Sequence, residues 1–278
     1  MIDRRKRMRE NIIKKKLAEG KTLCGMGVFS QSAAIIEMIG YCGFDFIFLE
    51  TEHTPVPVAS ELRDLIAIAN EAGLGVVCRV KANDEVMIRQ AFEFGADAVV
   101  VPHCRTAEDV RQMVRAAKFP PYGVRGACSD VRAAHYGCDE DYNYQDFIKW
   151  SNENTLCVAL AEDPEFFDNM EEILSVPGLD MVNLGPSDLS LALGKPDCYN
   201  LDMPEVKARF EKLYKAAKEH GIPLMGPVAP PTYERMKEMK ENGLRMAILR
   251  NDITNFRNTL KGIYNSVVVP SREDDANR

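Results

Sequence analysis

The 278-residue sequence has few of the features that mark membrane, secreted or metal-stapled proteins. No apolar run approaches the roughly 18 residues that a transmembrane helix needs, and no apolar segment of signal-peptide type follows the basic N-terminus. None of the eight cysteines forms a C-x-x-C pair. These absences argue against a membrane partner, a secretory signal and a zinc or disulfide framework, and they favour a cytoplasmic protein with reduced thiols.

The length and composition are typical of a globular protein of one or two domains with an acidic body. The chain is 46% apolar and 28% charged, with a net charge of −7, and a chain of this length can bury a large core without staples. Residues 1–16 carry a local charge of +6, which leaves −13 for the remainder. An acidic body repels phosphate, so nucleic acid is not an expected partner. Met8, Ile12 and Leu17 recur at helical spacing and predict an N-terminal amphipathic helix within residues 1–20.

Short apolar runs alternate with longer stretches of helical periodicity along most of the chain, which predicts an α/β protein with a (β/α)8 TIM barrel. The barrel domain is expected over residues 21–265, followed by a polar C-terminal tail at 266–278. No G-x-G-x-x-G follows the first run, which argues against an open dinucleotide-binding sheet. The predicted strands are Thr22–Val28, Phe44–Leu49, Gly75–Val80, Ala98–Val101, Leu156–Leu160, Met181–Leu184, Ile222–Met225 and Arg245–Leu249.

Two carboxylates follow the fifth and sixth predicted strands, at the barrel end where catalysis takes place. Glu162 and Asp188 are 26 residues apart, about one βα unit, so neighbouring strands would bring them together. Two unpaired carboxylates would repel each other, and a hard divalent ion such as Mg²⁺ or Mn²⁺ would remove that repulsion. The alternative is that Asp188 caps the helix that follows it.

Other polar residues follow the remaining strands. Gly185 and Pro186 open a turn whose backbone N–H groups could hold a carboxylate or phosphate. Glu50 could hold the ring of His53 as an acid–base dyad, although an isolated histidine is often structural. Arg79 ends an apolar strand, where a permanent cation is costly unless it faces an anion. Lys81 leaves a Schiff-base aldolase open as a rival, and His103 could simply pack.

Taken in order, these motifs resemble the metal-dependent HpcH/HpaI aldolase family over about Gly25 to Leu260. The most specific parts are the Gly-Phe-Asp at 43–45 with Glu52-His53, the Pro-Pro-Tyr-Gly-Val-Arg-Gly at 120–126, and the Gly-Pro-Ser-Asp-Leu-Ser at 185–190. The resemblance implies a TIM barrel, often assembled as a homo-hexamer that exchanges its last helix.

The same resemblance implies a reaction and a role for each residue. Glu162 and Asp188 would ligate a divalent metal, Mg²⁺ in the first place and Mn²⁺ or Co²⁺ otherwise. Pyruvate would bind against Gly185, Pro186, Ser187 and Asp188, and the backbone of the last two would hold its carboxylate. Arg79 would stabilise the enolate, and His53 with Glu50 would move a proton. The expected reaction cleaves or forms 4-hydroxy-2-oxo acids from pyruvate and an aldehyde.

Three positions depart from the family pattern. Gly27 stands where the family usually has Trp, Glu50 where it usually has Asp, and Leu160 where it usually has Gln. An oxaloacetate decarboxylase or synthase of the macrophomate synthase type is the nearest alternative on the same site. A catalytically silent homologue that binds small acids is the second.

Overall fold

The computed structural model describes residues 8–55 and 59–276, and within them eight parallel strands close into a barrel in chain order. Each strand pairs with the next one, and the eighth pairs with the first. The predicted (β/α)8 barrel is therefore confirmed. The strands are β1 (Leu23–Val28), β2 (Phe46–Glu50), β3 (Gly75–Arg79), β4 (Ala98–Val101), β5 (Leu156–Ala161), β6 (Met181–Leu184), β7 (Leu224–Pro227) and β8 (Leu244–Asn251).

Helices follow the strands and surround the barrel. Many begin at a side chain that accepts a backbone N–H, such as Ser32, Asp84 and Thr106, which explains why they start there. None of the helices in the described part of the chain is both long and apolar enough to span a membrane. The helices are α1 (Ile12–Ala18), α2 (Ala33–Tyr41), α3 (Ser60–Glu71), α4 (Glu85–Glu93), α5 (Ala107–Ala117), α6 (Tyr144–Asn154), α7 (Pro164–Asp168), α8 (Met170–Leu174), α9 (Pro186–Ala192), α10 (Pro204–His220), α11 (Tyr233–Glu241), α12 (Asp252–Ile263) and α13 (Val269–Ala276).

The strands are buried on both faces, which is why they read as nearly continuous apolar runs. Phe46 and Phe48 of β2 fill the inside of the barrel with Val100, Val158 and Met246. The alternate residues face the surrounding helices and form a second, larger cluster. This arrangement leaves polar side chains only at the two ends of the barrel.

Helix α1 closes the N-terminal end of the barrel. Ile13 is fully buried, and a Cβ built on Gly75 would lie 2.6 Å from Ile13 Cγ1, so the glycine allows the helix to sit against β3. Arg9 and Lys16 form ion pairs with Asp97 and Asp45. We refer to this end as the base and to the opposite end as the mouth.

A repeated Gly-x-Asp sequence sets the register at the base. Asp45, Asp97 and Asp180 each precede an even-numbered strand. Their carboxylates accept the backbone N–H of Cys24, Val76 and Cys157 respectively, each at 2.8 Å. The same three aspartates donate their own N–H to the carbonyls of those residues. Each aspartate thus ties the start of its strand to the preceding strand.

The C-terminal segment differs from the expected polar tail at 266–278. Helix continues through a π-helical turn at Tyr264–Val268 and through α13 to Ala276. Phe256, Leu260, Ile263 and Val267 are exposed at spacings of three and four residues. The apolar periodicity of α12 continues past residue 265. The many charged residues after residue 270 led to the prediction of a polar tail instead of a helix.

Candidate active site

A cavity of about 440 Å³ opens at the mouth and brings most of the predicted site residues together. It is lined by His53, Arg79, Glu162 and the turn from Gly185 to Asp188. These residues come from the ends of β2, β3, β5 and β6, and β5 and β6 are neighbours in the barrel. The sequence separation of Glu162 and Asp188 therefore corresponds to neighbouring strands.

Glu162 is a carboxylate whose burial outweighs the nearby charges of His103 and Arg79. Its side chain is 2% exposed, and its Oε1 accepts the backbone N–H of His103 at 2.9 Å. Burial raises the pKa of Glu162 to about 7, and the nearby Asp188 carboxylate adds to the rise. A Cβ on Gly185 would lie 2.5 Å from the Cβ of Glu162, so only glycine fits in that turn.

Asp188 lies in the first turn of α9, but it is not the cap of that helix. The capping position belongs to Gly185, Pro186 is the first helical residue, and no side chain caps the helix. The alternative interpretation of Asp188 as a cap is thus not supported by the geometry. Two acidic groups that repel each other, one of them buried, form a donor set that suits a hard divalent cation.

Arg79 is clamped by two carboxylates. Its Nε lies 2.6 Å from Glu50 Oε2, and its Nη1 lies 2.9 Å from Glu52 Oε2. Burial alone would lower the pKa of Arg79, but the charges of Glu50 and Glu52 outweigh burial and raise it. The guanidinium is therefore a fixed cation at the edge of the cavity. Its two carboxylate partners also set the orientation of its plane.

Glu50 does not form the predicted dyad with the ring of His53. Its second oxygen, Oε1, accepts the backbone N–H groups of Glu52 at 2.6 Å and of His53 at 3.0 Å. The ring of His53 is 59% exposed, and its Nε2 lies 3.8 Å from Glu52 instead. The fully buried Glu50 has a structural role, because one of its oxygens binds Arg79 and the other accepts the backbone N–H groups of the turn.

His103 contacts the site carboxylates, although the sequence alone suggested that it could simply pack. Its ring Nδ1 lies 2.9 Å from Asp163 Oδ2 and 3.4 Å from Glu162 Oε1. Burial alone would lower the pKa of His103, but these carboxylates and Glu52 raise it. One ligand atom from each of His103, Glu162 and Asp163 lies within 4.8 Å of the others, so the three could also share a metal. The available signal was its place directly after β4, the position that active-site residues occupy in barrels.

Comparisons with known proteins identify the family of this chain. The model of the HpcH/HpaI aldolase/citrate lyase family matches residues 24–259. The chain belongs to this family. It is accordingly a lyase of the aldolase type, and the resemblance inferred from its motifs is confirmed.

The similarity to individual relatives covers most of this chain. A 2-dehydro-3,6-dideoxy-6-sulfogluconate aldolase of Pseudomonas putida is 33% identical over 82% of this chain and 86% of its own. A hydroxypyruvate/pyruvate aldolase of Sagittula stellata is 31% identical over 89% of this chain and 94% of its own. The crystal structure of an HpcH/HpaI aldolase from Desulfitobacterium hafniense DCB-2 superposes with a TM-score of 0.82 at 27% identity, covering 91% of this chain and 95% of that one.

Gly27 and Leu160 shape the walls of this cavity. A Cβ on Gly27 would lie 2.9 Å from the Cβ of Asn251, so the end of β8 occupies the space of a side chain there. Leu160 is 2% exposed and makes the floor apolar. Lys81 is exposed and does not belong to the cavity lining, which disfavours a Schiff base at that residue.

Proposed function

We propose that this family member interconverts 4-hydroxy-2-oxo acids with pyruvate and an aldehyde through a pyruvate enolate, with Mg²⁺ as the resident metal and Mn²⁺ or Co²⁺ as substitutes. The observation that carries the proposal is the meeting of buried Glu162, Asp188 and the clamped Arg79 around one cavity. Cleavage leaves negative charge on the keto oxygen of pyruvate, and a site for this reaction must stabilise that charge.

Glu162 and Asp188 are the proposed metal ligands. Burial and the Asp188 carboxylate raise the pKa of Glu162, and a divalent ion would stabilise its ionised form. When bound, such an ion acts as a Lewis acid for negative charge on a substrate oxygen. His103 orients Glu162, because its backbone N–H donates to one of the carboxylate oxygens, and Asp163 in turn holds the ring of His103.

The remaining residues have roles in binding and proton transfer. Backbone N–H groups at Ser187 and Asp188 would hold the pyruvate carboxylate at the cavity wall. Arg79 would stabilise the enolate oxygen, because Glu50 and Glu52 keep its guanidinium charged and oriented. The exposed ring of His53, beside Glu52, would take the proton of the 4-hydroxyl group in cleavage and return it in synthesis.

The comparisons support the class of substrate in this proposal. One relative is named for a deoxy sugar acid and another for hydroxypyruvate and pyruvate. We further propose a homo-oligomer, a hexamer by family likeness, in which the exposed apolar row of α12 and the following turn contacts another copy. Eight free cysteines support a reducing compartment such as the cytoplasm.

Exchange of the methyl protons of pyruvate in deuterated water tests the proposal without knowledge of the aldehyde. We expect exchange with Mg²⁺ or Mn²⁺, no exchange after EDTA treatment, and recovery on adding metal back. Asp188→Ala should abolish exchange and metal binding, whereas Asp64→Ala on the exposed face of α3 should leave both unchanged.

Three other outcomes would contradict parts of the proposal. Full exchange in EDTA would refute metal dependence, and a borohydride-trapped adduct at Lys81 would establish a Schiff base. Decarboxylation of oxaloacetate without cleavage of any hydroxy-oxo acid would favour the decarboxylase alternative.

A further inference from the structure

His103 has an unusual backbone conformation directly after β4. Its φ is +54°, in the left-handed region that residues other than glycine rarely adopt. In this conformation two groups of His103 face one atom of Glu162. The backbone N–H of His103 donates to Glu162 Oε1 at 2.9 Å, and the ring Nδ1 lies 3.4 Å from the same oxygen. The backbone strain thus brings an imidazole nitrogen to a buried carboxylate.

Asp163 presents a second carboxylate to the same ring nitrogen. It occupies the position before α7, where aspartate commonly caps a helix, but its side chain caps nothing there. Its Oδ2 lies 2.9 Å from His103 Nδ1, and its Oδ1 lies 3.0 Å from Arg105 Nη2. Arg105 therefore holds one oxygen of Asp163, and the other oxygen faces His103.

The two oxygens of Glu162 face different sides. Oε1 faces His103, whereas Oε2 would lie 3.3 Å from a Cβ on Gly185, in the turn that leads to Asp188. The proposed Mg²⁺ site with Asp188 is on the side of Oε2. Oε1 is therefore directed away from that site, and a carboxylate in this position can bridge two cations.

The distances among His103 Nδ1, Glu162 Oε1 and Asp163 Oδ2 suit a transition metal. The three atoms lie within 4.8 Å of one another, with the separations of 2.9 and 3.4 Å given above. Neighbouring ligands of an ion bound at about 2.1 Å lie about 3.0 to 3.4 Å apart. An imidazole in the ligand set favours Zn²⁺ or Ni²⁺ over Mg²⁺. The ring of His103 is 46% exposed, so water can complete the coordination.

Other histidines of the chain lack this arrangement. His135 and His220 each meet one carboxylate, that of Asp139 at 2.8 Å and that of Glu171 at 2.9 Å. Among residues 8–55 and 59–276, the group at His103 is the one set of three such ligand atoms within 4.8 Å. The arrangement at His103 is thus more than an ordinary pair of histidine and carboxylate.

We propose that His103, Asp163 and the Oε1 atom of Glu162 bind a second divalent ion, of the class that includes Zn²⁺ and Ni²⁺. Glu162 is then a carboxylate shared between this ion and the Mg²⁺ site that it forms with Asp188. The second site does not depend on the proposed aldolase activity, because its ligand set is defined without a substrate.

Calorimetric titration of the whole protein with Zn²⁺, in the presence of excess Mg²⁺, tests the assignment. We expect one Zn²⁺ per chain. His103→Gln and Asp163→Asn should each weaken Zn²⁺ binding at least tenfold, because each removes a ligand. His220→Gln removes an imidazole with a single carboxylate partner, so it is the matched control and should bind Zn²⁺ as the parent protein does. Far-UV circular dichroism identifies the variants that fold as the parent does.

Asp188→Ala separates the two sites. Retention of Zn²⁺ by this variant, together with loss of Mg²⁺, supports a second site. Loss of Zn²⁺ in Asp188→Ala with retention in His103→Gln would place Zn²⁺ in the Mg²⁺ site and overturn the assignment. Absence of Zn²⁺ binding in the parent protein would also overturn it. If the parent protein does not exchange the protons of pyruvate, the proposed function fails, and the titration with Zn²⁺ still decides this inference.

Discussion

Acidic side chains occur at both ends of the barrel, but their surroundings differ. At the base, Asp45, Asp97 and Asp180 each accept a backbone N–H from the preceding strand, and Asp45 and Asp97 also meet a cation of the N-terminal segment. At the mouth, Glu162 faces the like charge of Asp188. The aspartates at the base join neighbouring strands through backbone hydrogen bonds, whereas the two carboxylates at the mouth are the ones we assign to a divalent cation.

Replacing Arg79 by lysine tests the mouth with the largest expected effect. We expect kcat for aldol cleavage to fall about 100-fold, or about 2.7 kcal/mol of transition-state stabilisation. The physical reason is that an ammonium group cannot bond Glu50 and Glu52 at once in the plane that the guanidinium occupies. Steady-state kinetics measures the effect, and the urea midpoint should change little. Parent-like kinetics would mean that Arg79 is only structural.

Replacing Asp97 by alanine tests the base. The change removes the acceptor of the Val76 N–H and the partner of Arg9, so the free energy of unfolding should fall by about 2 kcal/mol. Urea denaturation measures this loss, while kcat per folded molecule should be retained. The control is Asp64→Ala, which breaks an exposed pair with Arg63 and should leave the free energy of unfolding nearly unchanged. Equal losses of unfolding free energy in both variants would mean that Asp97 stabilises the fold no more than an exposed aspartate does.

The pH dependence of metal binding tests the mouth a second time, with an expected effect of about 1.4 kcal/mol per pH unit. With a pKa of about 7, Glu162 is mostly protonated below that pH in the metal-free protein and ionised above it. Because the metal binds the ionised form, its affinity should rise about tenfold per pH unit up to pH 7 and then level off. Calorimetry in buffers of different ionisation enthalpy should detect the released proton. Affinity that is constant between pH 5 and 8 would place the metal elsewhere.

Periodicity was sufficient to predict the barrel and the position of every strand. All eight predicted strands overlap the observed ones, because several runs are nearly continuous in apolar residues, as is typical of parallel strands covered on both faces. The C-terminal helix was missed because the apolar row that ends at Val267 is followed by charged residues. Within the site, the spacing of Glu162 and Asp188 indicated their proximity, since consecutive strands of a barrel are neighbours.

Side-chain partnerships could not be predicted in the same way. The sequence places Glu50 and His53 three residues apart, but Glu50 bonds the backbone of His53 and the guanidinium of Arg79 instead. The environment of His103 depends on Asp163, sixty residues later. Likewise, no local pattern reveals the register shift between β1 and β8, because it is defined by the pairing of these two strands.

The amino-acid sequence alone determined the fold class, the family and the set of residues at the strand ends, because hydrophobic period and strand order are properties of the chain. The tertiary structure alone decided which carboxylate holds which cation. Burial and distance set that choice, and both arise only when strands remote in sequence close into a barrel.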